Sequence, residues 1–264
     1  MALWRDDSKN ATDIMVPYMY GINHTCVYYF LRNGNVSQAL TCWLHRSTYD
    51  VPWADKEPRA FFRGRCNEHD HVFPNGSIAK SRSTMLALSR AHNDTMDAYL
   101  VDRVPDPRPE VPIREHARHK YLLALDGITG SSRLSRLLWC NSLILKEASP
   151  WQEYFYRGLV AGTHYRTVFE AAPDDVLGVV AAARATPDDE RAAQAVAAAG
   201  QAFAARYLCP RARVAYFHAA LHAYTRLFQG DSMGEYARNV AWPAAQARIR
   251  QAALNPPSPL QPSG

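Results

Sequence analysis

The segment KYLLALDGITGSSRLSRLLWCNSLILKE, residues 120–147, contains an arginine where a helix is predicted to begin. The apolar runs YLLAL and SLILK predict two buried strands, and DGITG, which contains Gly127, has the composition of a turn. Ser131 and Ser132 are candidate N-caps of a helix with Arg133 in its first turn. A helix N-terminus attracts anions and disfavours arginine unless an external anion is bound there. The pattern indicates a phosphate site, although helix capping alone also explains the serines.

A second pair of basic side chains, Arg63 and Arg65, flanks Gly64 at the end of the predicted strand AFFRG. Glycine lets a ligand approach the backbone, and arginine binds phosphate oxygens through two donors. The alternative is a pair of surface arginines beside a tight turn. Strands alternate with helices along the chain, which predicts a parallel sheet with helices on both faces. Since such sheets bind ligands at the carboxyl ends of their strands, we expect both arginine segments at one edge.

Glu153 lies in SPWQEYFYRGLVAG, for which we predict a helix capped by Ser149 with Pro150 at its first position. One turn into this helix, the glutamate could accept hydrogen bonds from a ribose. A glutamate favoured by the helix dipole is the alternative. Helices are also predicted for STMLALSRAHN, APDDVLGVVAAARA, TPDDERAAQAVAAAGQAFAARYL and RVAYFHAALHAYTRLF, and strands for DIMVP, DAYLVDR and HYRTV.

Metal-binding residue types occur together in the loop NEHDH, which contains His69, Asp70 and His71. Neighbouring residues of one loop rarely converge on an ion without a further ligand, so we expect no metal site. The five cysteines form no C-x-x-C pair and no zinc spacing. The motifs G-x-S-x-G, G-x-x-x-x-G-K-[ST] and G-x-G-x-x-G are absent from the sequence. No sequence motif therefore supports a hydrolase, nucleoside triphosphatase or dinucleotide-binding function.

The charge of the chain is mildly basic, with 30 Lys and Arg against 25 Asp and Glu among 264 residues. The arginines are scattered, so we expect no nucleic-acid partner. No apolar stretch is long enough for a transmembrane segment, and the amino terminus has no apolar signal region. Five glycosylation sequons nevertheless point to the secretory lumen, with chance occurrence as the alternative. Their asparagines all precede residue 100: Asn10, Asn23, Asn35, Asn75 and Asn93.

The order of these segments resembles glycosyltransferase family 90, the group of capsule-associated proteins and protein O-glucosyltransferases. The shared pieces begin with DIMVP, AFFRGR and STMLALSR. A Lys-Tyr strand, a glycine loop with Ser-x-Arg, an apolar strand, an E-x-F-Y segment and a His-Tyr strand follow. A G-x-x-F helix and a final helix bearing tyrosine complete the series, which covers residues 13–228.

The resemblance implies an α/β, GT-B-like architecture whose donor domain is Rossmann-like with a parallel sheet, and whose amino-terminal acceptor domain is incomplete here. We expect a remnant of the acceptor side and crossover in 1–52, the nucleotide-sugar-binding domain in 53–240 and a disordered tail in 241–264. The family's chemistry implies inverting transfer of glucose or xylose from a UDP-sugar to a hydroxyl of a protein or glycan acceptor, with no metal or other cofactor. An endoplasmic reticulum or Golgi location follows from the family and the sequons.

By motif position, the resemblance implies that the first arginine pair and the Ser-x-Arg loop hold the donor diphosphate, with Glu153 near the ribose. The predicted donor-binding residues are Arg63, Gly64, Arg65, Gly127, Ser131, Ser132, Arg133 and Glu153. Cationic side chains would then replace the metal that stabilises the leaving diphosphate elsewhere.

The chain departs from the family pattern in three places. The loop after AFFRG is longer than usual, and HYRTV has Arg and Thr where the family commonly has a small apolar residue and proline. DIMVP begins at residue 13, so we expect the acceptor-side segment that supplies the family's aspartate base to be absent from this chain, and Asp6 and Asp7 have no support for that role. We assign no catalytic base. The alternatives are an inactive relative that binds a nucleotide sugar or a protein partner, and an α/β binding protein without nucleotide affinity.

Overall fold

The computed structural model describes Trp4–Arg5, Tyr49 and residues 51–102 and 109–225 of the chain. Contacts divide the chain into two compact units, Met1–Tyr216 and Phe217–Gly264. The predicted strand DIMVP and the predicted disordered tail lie outside the described residues. The division into 1–52, 53–240 and 241–264 remains a prediction.

The described strands and helices lie in the order that the sequence predicted for most of the chain. The strands are β1 Trp4–Arg5, β2 Glu57–Gly64, β3 His71–Val72, β4 Ile78–Ala79, β5 Met96–Leu100, β6 His119–Ala124, β7 Leu143–Glu147, β8 Trp151–Gln152 and β9 Arg166–Val168. The α-helices are α1 Ser81–Ala91, α2 Ile113–His116, α3 Leu134–Leu137, α4 Asp175–Ala183, α5 Pro187–Phe203 and α6 Pro210–Thr225. Shorter helical turns are Trp53–Asp55, Leu138–Cys140, Tyr156–Gly158 and the π-helical Ala204–Leu208.

Five strands form one parallel sheet in the order β5-β2-β6-β7-β9. Two antiparallel pairs, β3 with β4 and β1 with β8, lie outside it. The predicted α/β class with a Rossmann-like parallel sheet is confirmed by this topology. Because all strands of the sheet run the same way, their carboxyl ends lie along one edge, where ligands of such sheets bind.

Alternate residues of the central strands enter two separate cores. Phe62, Leu123 and Leu145 belong to the cluster that also contains residues of α1, α4 and α5. Their neighbours Leu122 and Ile144 belong to the cluster with α3 and the following helical turns. A strand buried on both faces needs apolar side chains at consecutive positions, which explains why YLLAL and SLILK are continuous apolar runs.

The segment SPWQEYFYRGLVAG is not the helix that we predicted. It forms β8, which pairs with β1 through Trp151 and Arg5, followed by the short helical turn Tyr156–Gly158. Ser149 Oγ accepts a hydrogen bond from the Trp151 amide at 3.2 Å and closes a local turn rather than capping a helix. Phe155 and its neighbour are buried in the second core, a tertiary contact that overrides helix propensity.

The predicted helix after Ser131 is shorter and begins later than expected. Arg133, not a serine, occupies the N-cap position of the four-residue helix α3, and Ser131 Oγ accepts from the Arg133 amide at 3.4 Å. The helix continues as the turn Leu138–Cys140 and ends at Asn141, whose φ of 49° is left-handed. The dipole of so short a helix is small, so any anion here depends mainly on the arginine charge.

The helices α4 and α5 begin as predicted, whereas α6 begins at Pro210, three residues before the predicted start at Arg213. Thr186 Oγ1 accepts from the Asp189 amide at the start of α5. At the start of α4, the Asp175 carboxylate accepts hydrogen bonds from three consecutive amides, those of residues 169–171, at 2.6 to 3.1 Å. These amides directly follow β9, where Phe169 has a left-handed φ of 59°. No helix among the described residues is both long and apolar enough to cross a membrane.

Candidate functional site

A cleft of about 410 Å³ opens beside the carboxyl ends of β2 and β5. Five arginines are among its described lining residues. They come from the end of β2, the start of α1 and the segment around α3: Arg63, Arg65, Arg82, Arg133 and Arg136. The remaining lining residues are Gly64, Asn67, Val101, Glu110, Val111, Pro112, Ile113 and His116. We call this group the arginine cleft.

Arg133 has a buried donor that no described residue satisfies. Its guanidinium lies over the Phe62 ring, 4.9 Å from the ring centroid, and its NH1 is buried without a hydrogen-bond partner among the described residues. Burial lowers the pKa of Arg133 to about 10, and the charges of Arg82 and Arg136 act in the same direction. A buried cationic donor without a partner is costly unless a ligand supplies an acceptor.

Gly64 provides the space that this guanidinium occupies. A Cβ at this position would lie 2.6 Å from Cζ of Phe62 and 3.1 Å from NH1 of Arg133. The first distance is shorter than real contacts allow, so a larger residue would displace the ring or the guanidinium. The glycine is therefore needed for the close packing of the β2 end against Arg133.

Arg63 is held by the protein itself. Its guanidinium donates to the Phe62 carbonyl at 2.9 Å and to the carbonyl and carboxylate of Asp97, both at 2.8 Å. It also lies over the rings of Phe61 and Tyr99, 4.4 and 5.0 Å from their centroids. Its charge reaches the cleft, but most of its donors are already used.

Arg65 and Arg82 differ in their exposure to solvent. Arg65 is 65% exposed and pairs with Glu110, which is 72% exposed, at 3.1 Å. Arg82 is buried and donates to the carbonyls of Arg65, Leu125 and Asp126 at 2.8 to 3.2 Å. Arg82 therefore ties the segment after β2 to the segment after β6, and so links the two predicted arginine segments.

Four predicted donor-binding residues lie outside the lining of the arginine cleft. Gly127 follows β6, and a Cβ there would lie 3.3 Å from both Arg82 NH2 and the Asn67 carbonyl. The Ser131 amide donates to Asp126 Oδ1 at 2.6 Å, and the Ser132 carbonyl accepts from the next serine hydroxyl along α3 at 2.9 Å. Both serines shape the loop that presents Arg133.

The fourth of these residues, Glu153, is buried in the loop after β8 rather than in a helix. Burial raises its pKa to about 8, against the opposing charge of Arg213. Its Oε1 has no hydrogen-bond partner in the described part of the chain. A protonated carboxyl near neutral pH could donate to a ligand oxygen, and an ionised one could accept from a hydroxyl.

The chain matches the family described as Glycosyl transferase family 90 over residues 7–247. It belongs to glycosyltransferase family 90. The predicted family is thereby confirmed, over slightly more of the chain than the quoted segments covered.

Among curated relatives, the family 90 chain is 29% identical over 151 residues to the O-glucosyltransferase rumi homolog of Anopheles gambiae, covering 52% of this chain and 35% of that protein. It is 28% identical over 132 residues to protein O-glucosyltransferase 1 of Homo sapiens, covering 46% and 31%. The chain thus spans about a third of the length of these relatives. Among solved structures, Anabaena Alr3699/HepE in complex with UDP aligns with a TM-score of 0.39 at 9% identity, over 69% of this chain and 55% of that one.

Two cleft arginines of the family 90 chain were missed by the sequence analysis. Arg82 lies at the start of α1, as Arg133 lies at the start of α3. This shared position at a helix start could have identified Arg82 as a cleft residue. Arg136 lies one turn beyond Arg133 on α3 and is exposed. The segment around Arg133 was recognised, so the i to i+3 spacing of these two residues could have suggested that they share a face.

Proposed function

We propose that this family 90 chain binds a UDP-sugar and takes part in moving a hexose or pentose, glucose or xylose, to an acceptor hydroxyl. The transfer inverts the configuration at the anomeric carbon of the sugar, and no metal ion is needed at the diphosphate. Family membership and the O-glucosyltransferase names of the relatives support the class of reaction. The observation that carries the proposal is the arginine cleft, with the unpaired donor of Arg133 at its wall.

The cleft has the charge and size that a diphosphate requires. Its volume of about 410 Å³ is within the usual range for small-molecule sites. Guanidinium groups bind phosphate oxygens through two donors, and fixed positive charge stabilises the negative charge that develops on a leaving diphosphate. His116, which also lines the cleft, is neutral near pH 7 because burial and then Arg133 lower its pKa to about 3. The arginines therefore supply the positive charge.

The catalytic base is not assigned to any described residue. Inverting transfer requires a base that removes the proton from the acceptor hydroxyl. Glu110 is the carboxylate among the described lining residues, and it is exposed and paired with Arg65. This pairing favours the second candidate, a relative that binds the nucleotide sugar, or a protein partner, without transferring the sugar.

The proposed location is the lumen of the endoplasmic reticulum or Golgi, with a protein or glycan as acceptor. Asn75 and Asn93, the two sequon asparagines in the described residues, are both exposed. When the chain is secreted from eukaryotic cells, N-glycosidase treatment should lower its mass. An unchanged mass would contradict the lumenal proposal.

Calorimetric titration of UDP and UDP-glucose in the presence of a chelator tests the site. We expect the wild-type chain to bind both and Arg133→Ala to bind about 10- to 100-fold more weakly, because one charge-assisted hydrogen bond contributes about 1.5–3 kcal/mol. Arg191→Ala is the matched control, since Arg191 is exposed on α5 outside the cleft.

Three outcomes have distinct meanings for the proposed function. Binding that Arg133→Ala leaves intact would remove the site assignment. Binding that requires a divalent ion would contradict metal independence. Absence of binding by a folded wild-type chain would favour the protein-partner alternative or a binding protein without nucleotide affinity.

A further inference from the structure

A second group of polar side chains lies where the loop after β2 meets the end of β7. His69, His71 and Glu147 each offer one ligand atom, and these atoms all lie within 4.8 Å of one another. His69 comes from the loop, His71 is the first residue of β3, and Glu147 is the last residue of β7. No further ligand for the two histidines was predicted from the sequence. The structure brings one from a distant part of the chain.

Glu147 is buried, with 1% of its side chain exposed, and only one of its oxygens is satisfied. Oε2 accepts hydrogen bonds from the Ser81 hydroxyl at 2.9 Å and the Asp126 amide at 2.8 Å. Oε1 is buried and has no hydrogen-bond partner in the residues that the structure describes. A buried carboxylate oxygen left without a partner is costly, so a cation or a donor is expected beside it.

His71 faces this oxygen at a distance that suits a shared ion. Its Nδ1 lies 3.8 Å from Glu147 Oε1, which is too long for a hydrogen bond. Zinc–nitrogen and zinc–oxygen distances of about 2.0–2.2 Å allow one ion to contact both atoms. The ring packs against Phe73 and Phe169, with centroid distances of 4.6 and 4.9 Å, which hold it in place.

The hydrogen-bonding geometry of His69 suits metal binding. Nδ1 of His69 lies 2.6 Å from the Gly127 carbonyl, which only accepts, so this nitrogen carries the proton. The Nε2 lone pair of His69 is then available. A backbone carbonyl is a common partner for the second nitrogen of a metal-binding histidine.

We propose that His69, His71 and Glu147 bind one divalent transition-metal ion of the Zn²⁺ class, with water in the fourth position. Two imidazoles and one carboxylate are a ligand set that such ions use, and Ser81 and Asp126 orient the carboxylate. None of the three ligands lines the arginine cleft among the described residues. The ion therefore holds the loop to the sheet and does not contact the donor diphosphate.

The test uses the full chain, stripped with a chelator and titrated with Zn²⁺ by calorimetry. His218 and His222 have Nε2 atoms 3.1 Å apart on α6 and form a possible competing pair, so every sample carries His218→Ala. We expect one Zn²⁺ per chain, with affinity at least about tenfold weaker in His71→Ala and in Glu147→Gln. His92→Ala is the matched control, because His92 is exposed outside the group. Ser81→Ala, which removes an orienting bond, should weaken binding by about tenfold.

Co²⁺ in place of Zn²⁺ reports the ligand types directly. The expected spectrum has d–d bands without a thiolate charge-transfer band. A thiolate band, or a Zn²⁺ affinity that His71→Ala and Glu147→Gln both leave unchanged, would overturn the site. Circular dichroism verifies the fold of each variant, and His69→Ala supplies a less buried second test if Glu147→Gln does not fold.

UDP titration of the same stripped and Zn²⁺-loaded samples separates this site from the arginine cleft. We expect UDP affinity to agree within about threefold between the two. UDP affinity that is lost with the ion would overturn the proposed separation. Failure of the chain to bind UDP at all would count against the proposed function and leave the Zn²⁺ stoichiometry as an independent result.

Discussion

The arginine cleft and the two glutamates at and after the end of β7 differ in what they leave unsatisfied. In the cleft, the group without a partner among the described residues is a donor, Arg133 NH1. In the two glutamates, the buried atoms without a partner among the described residues are acceptors, the Oε1 atoms of Glu147 and Glu153. A buried donor of positive charge selects an anionic ligand, and a buried carboxylate selects a cation or a proton. The carboxyl ends of the strands therefore offer two different ligand chemistries.

The largest expected effect is a pH-dependent change in stability caused by Glu153. Burial raises the pKa of Glu153 from 4.5 to about 8 in the folded chain, so the folded state keeps a proton that the unfolded state loses. Below about pH 4.5 the carboxyl is protonated in both states, so its ionisation does not affect the free energy of unfolding. As pH rises from about 4.5 to about 8, the unfolded state loses this proton while the folded state keeps it, and the free energy of unfolding falls. Each pKa unit corresponds to about 1.4 kcal/mol, so Glu153→Gln should be more stable than wild type at pH 8 by a few kcal/mol.

Urea unfolding at pH 5 and pH 8 measures this difference. The control is Glu190→Gln, since hydrogen bonds from Lys120 and Trp53 lower the pKa of Glu190 and give its contribution the opposite sign. Equal stability of Glu153→Gln and wild type at both pH values would show that Glu153 already has a partner, and would weaken the contrast between the two regions.

Gly64→Ala tests the packing that leaves Arg133 without a partner. The new Cβ would meet Phe62 at 2.6 Å and Arg133 at 3.1 Å. We expect UDP affinity to fall about 10- to 100-fold, because the guanidinium loses its position, and stability to fall by about 1–3 kcal/mol. Calorimetry and thermal unfolding measure the two effects.

Gly178→Ala is the matched control for Gly64→Ala. Gly178 lies within α4, and no atom lies within 4 Å of the position that an added methyl group would occupy. Alanine there should raise stability by about 0.5–1 kcal/mol and leave UDP binding unchanged. Wild-type UDP affinity in Gly64→Ala would mean that Arg133 does not depend on this close packing.

Arg63→Ala should produce the smallest change in binding. Its donors are engaged by Asp97 and Phe62, so the substitution should lower stability by about 1–2 kcal/mol and UDP affinity by less than about threefold. Parallel thermal unfolding and UDP titration with Arg133→Ala make the comparison. A loss of affinity equal to that of Arg133→Ala would show that Arg63 leaves Asp97 for the ligand.

Local patterns predicted the elements whose determinants lie close together in the sequence. The strands YLLAL and SLILK and the helix that begins after Thr186 were predicted because their signals lie within a few residues. The prediction for the segment after Ser149 was wrong because Trp151 and Phe155 are positioned by β1 and by the second core, contacts that are distant in the sequence.

The two proposed sites also differ in whether local sequence signals predicted them. Arg63, Arg65 and Arg133 were expected at one sheet edge because each follows a strand, and the structure places all three in the lining of one cleft. The approach of Glu147 to His69 and His71 had no local signal, since it depends on how the loop folds back over β7.

The amides after β9 restrict where an anionic ligand can bind. Three successive N–H groups form a concavity of the kind that binds phosphate, and Asp175 already fills it. A tethered carboxylate is present at a high effective concentration, so a diffusing anion competes poorly for these amides. Among the described residues, an anionic ligand is therefore expected at the arginine cleft rather than at the end of β9.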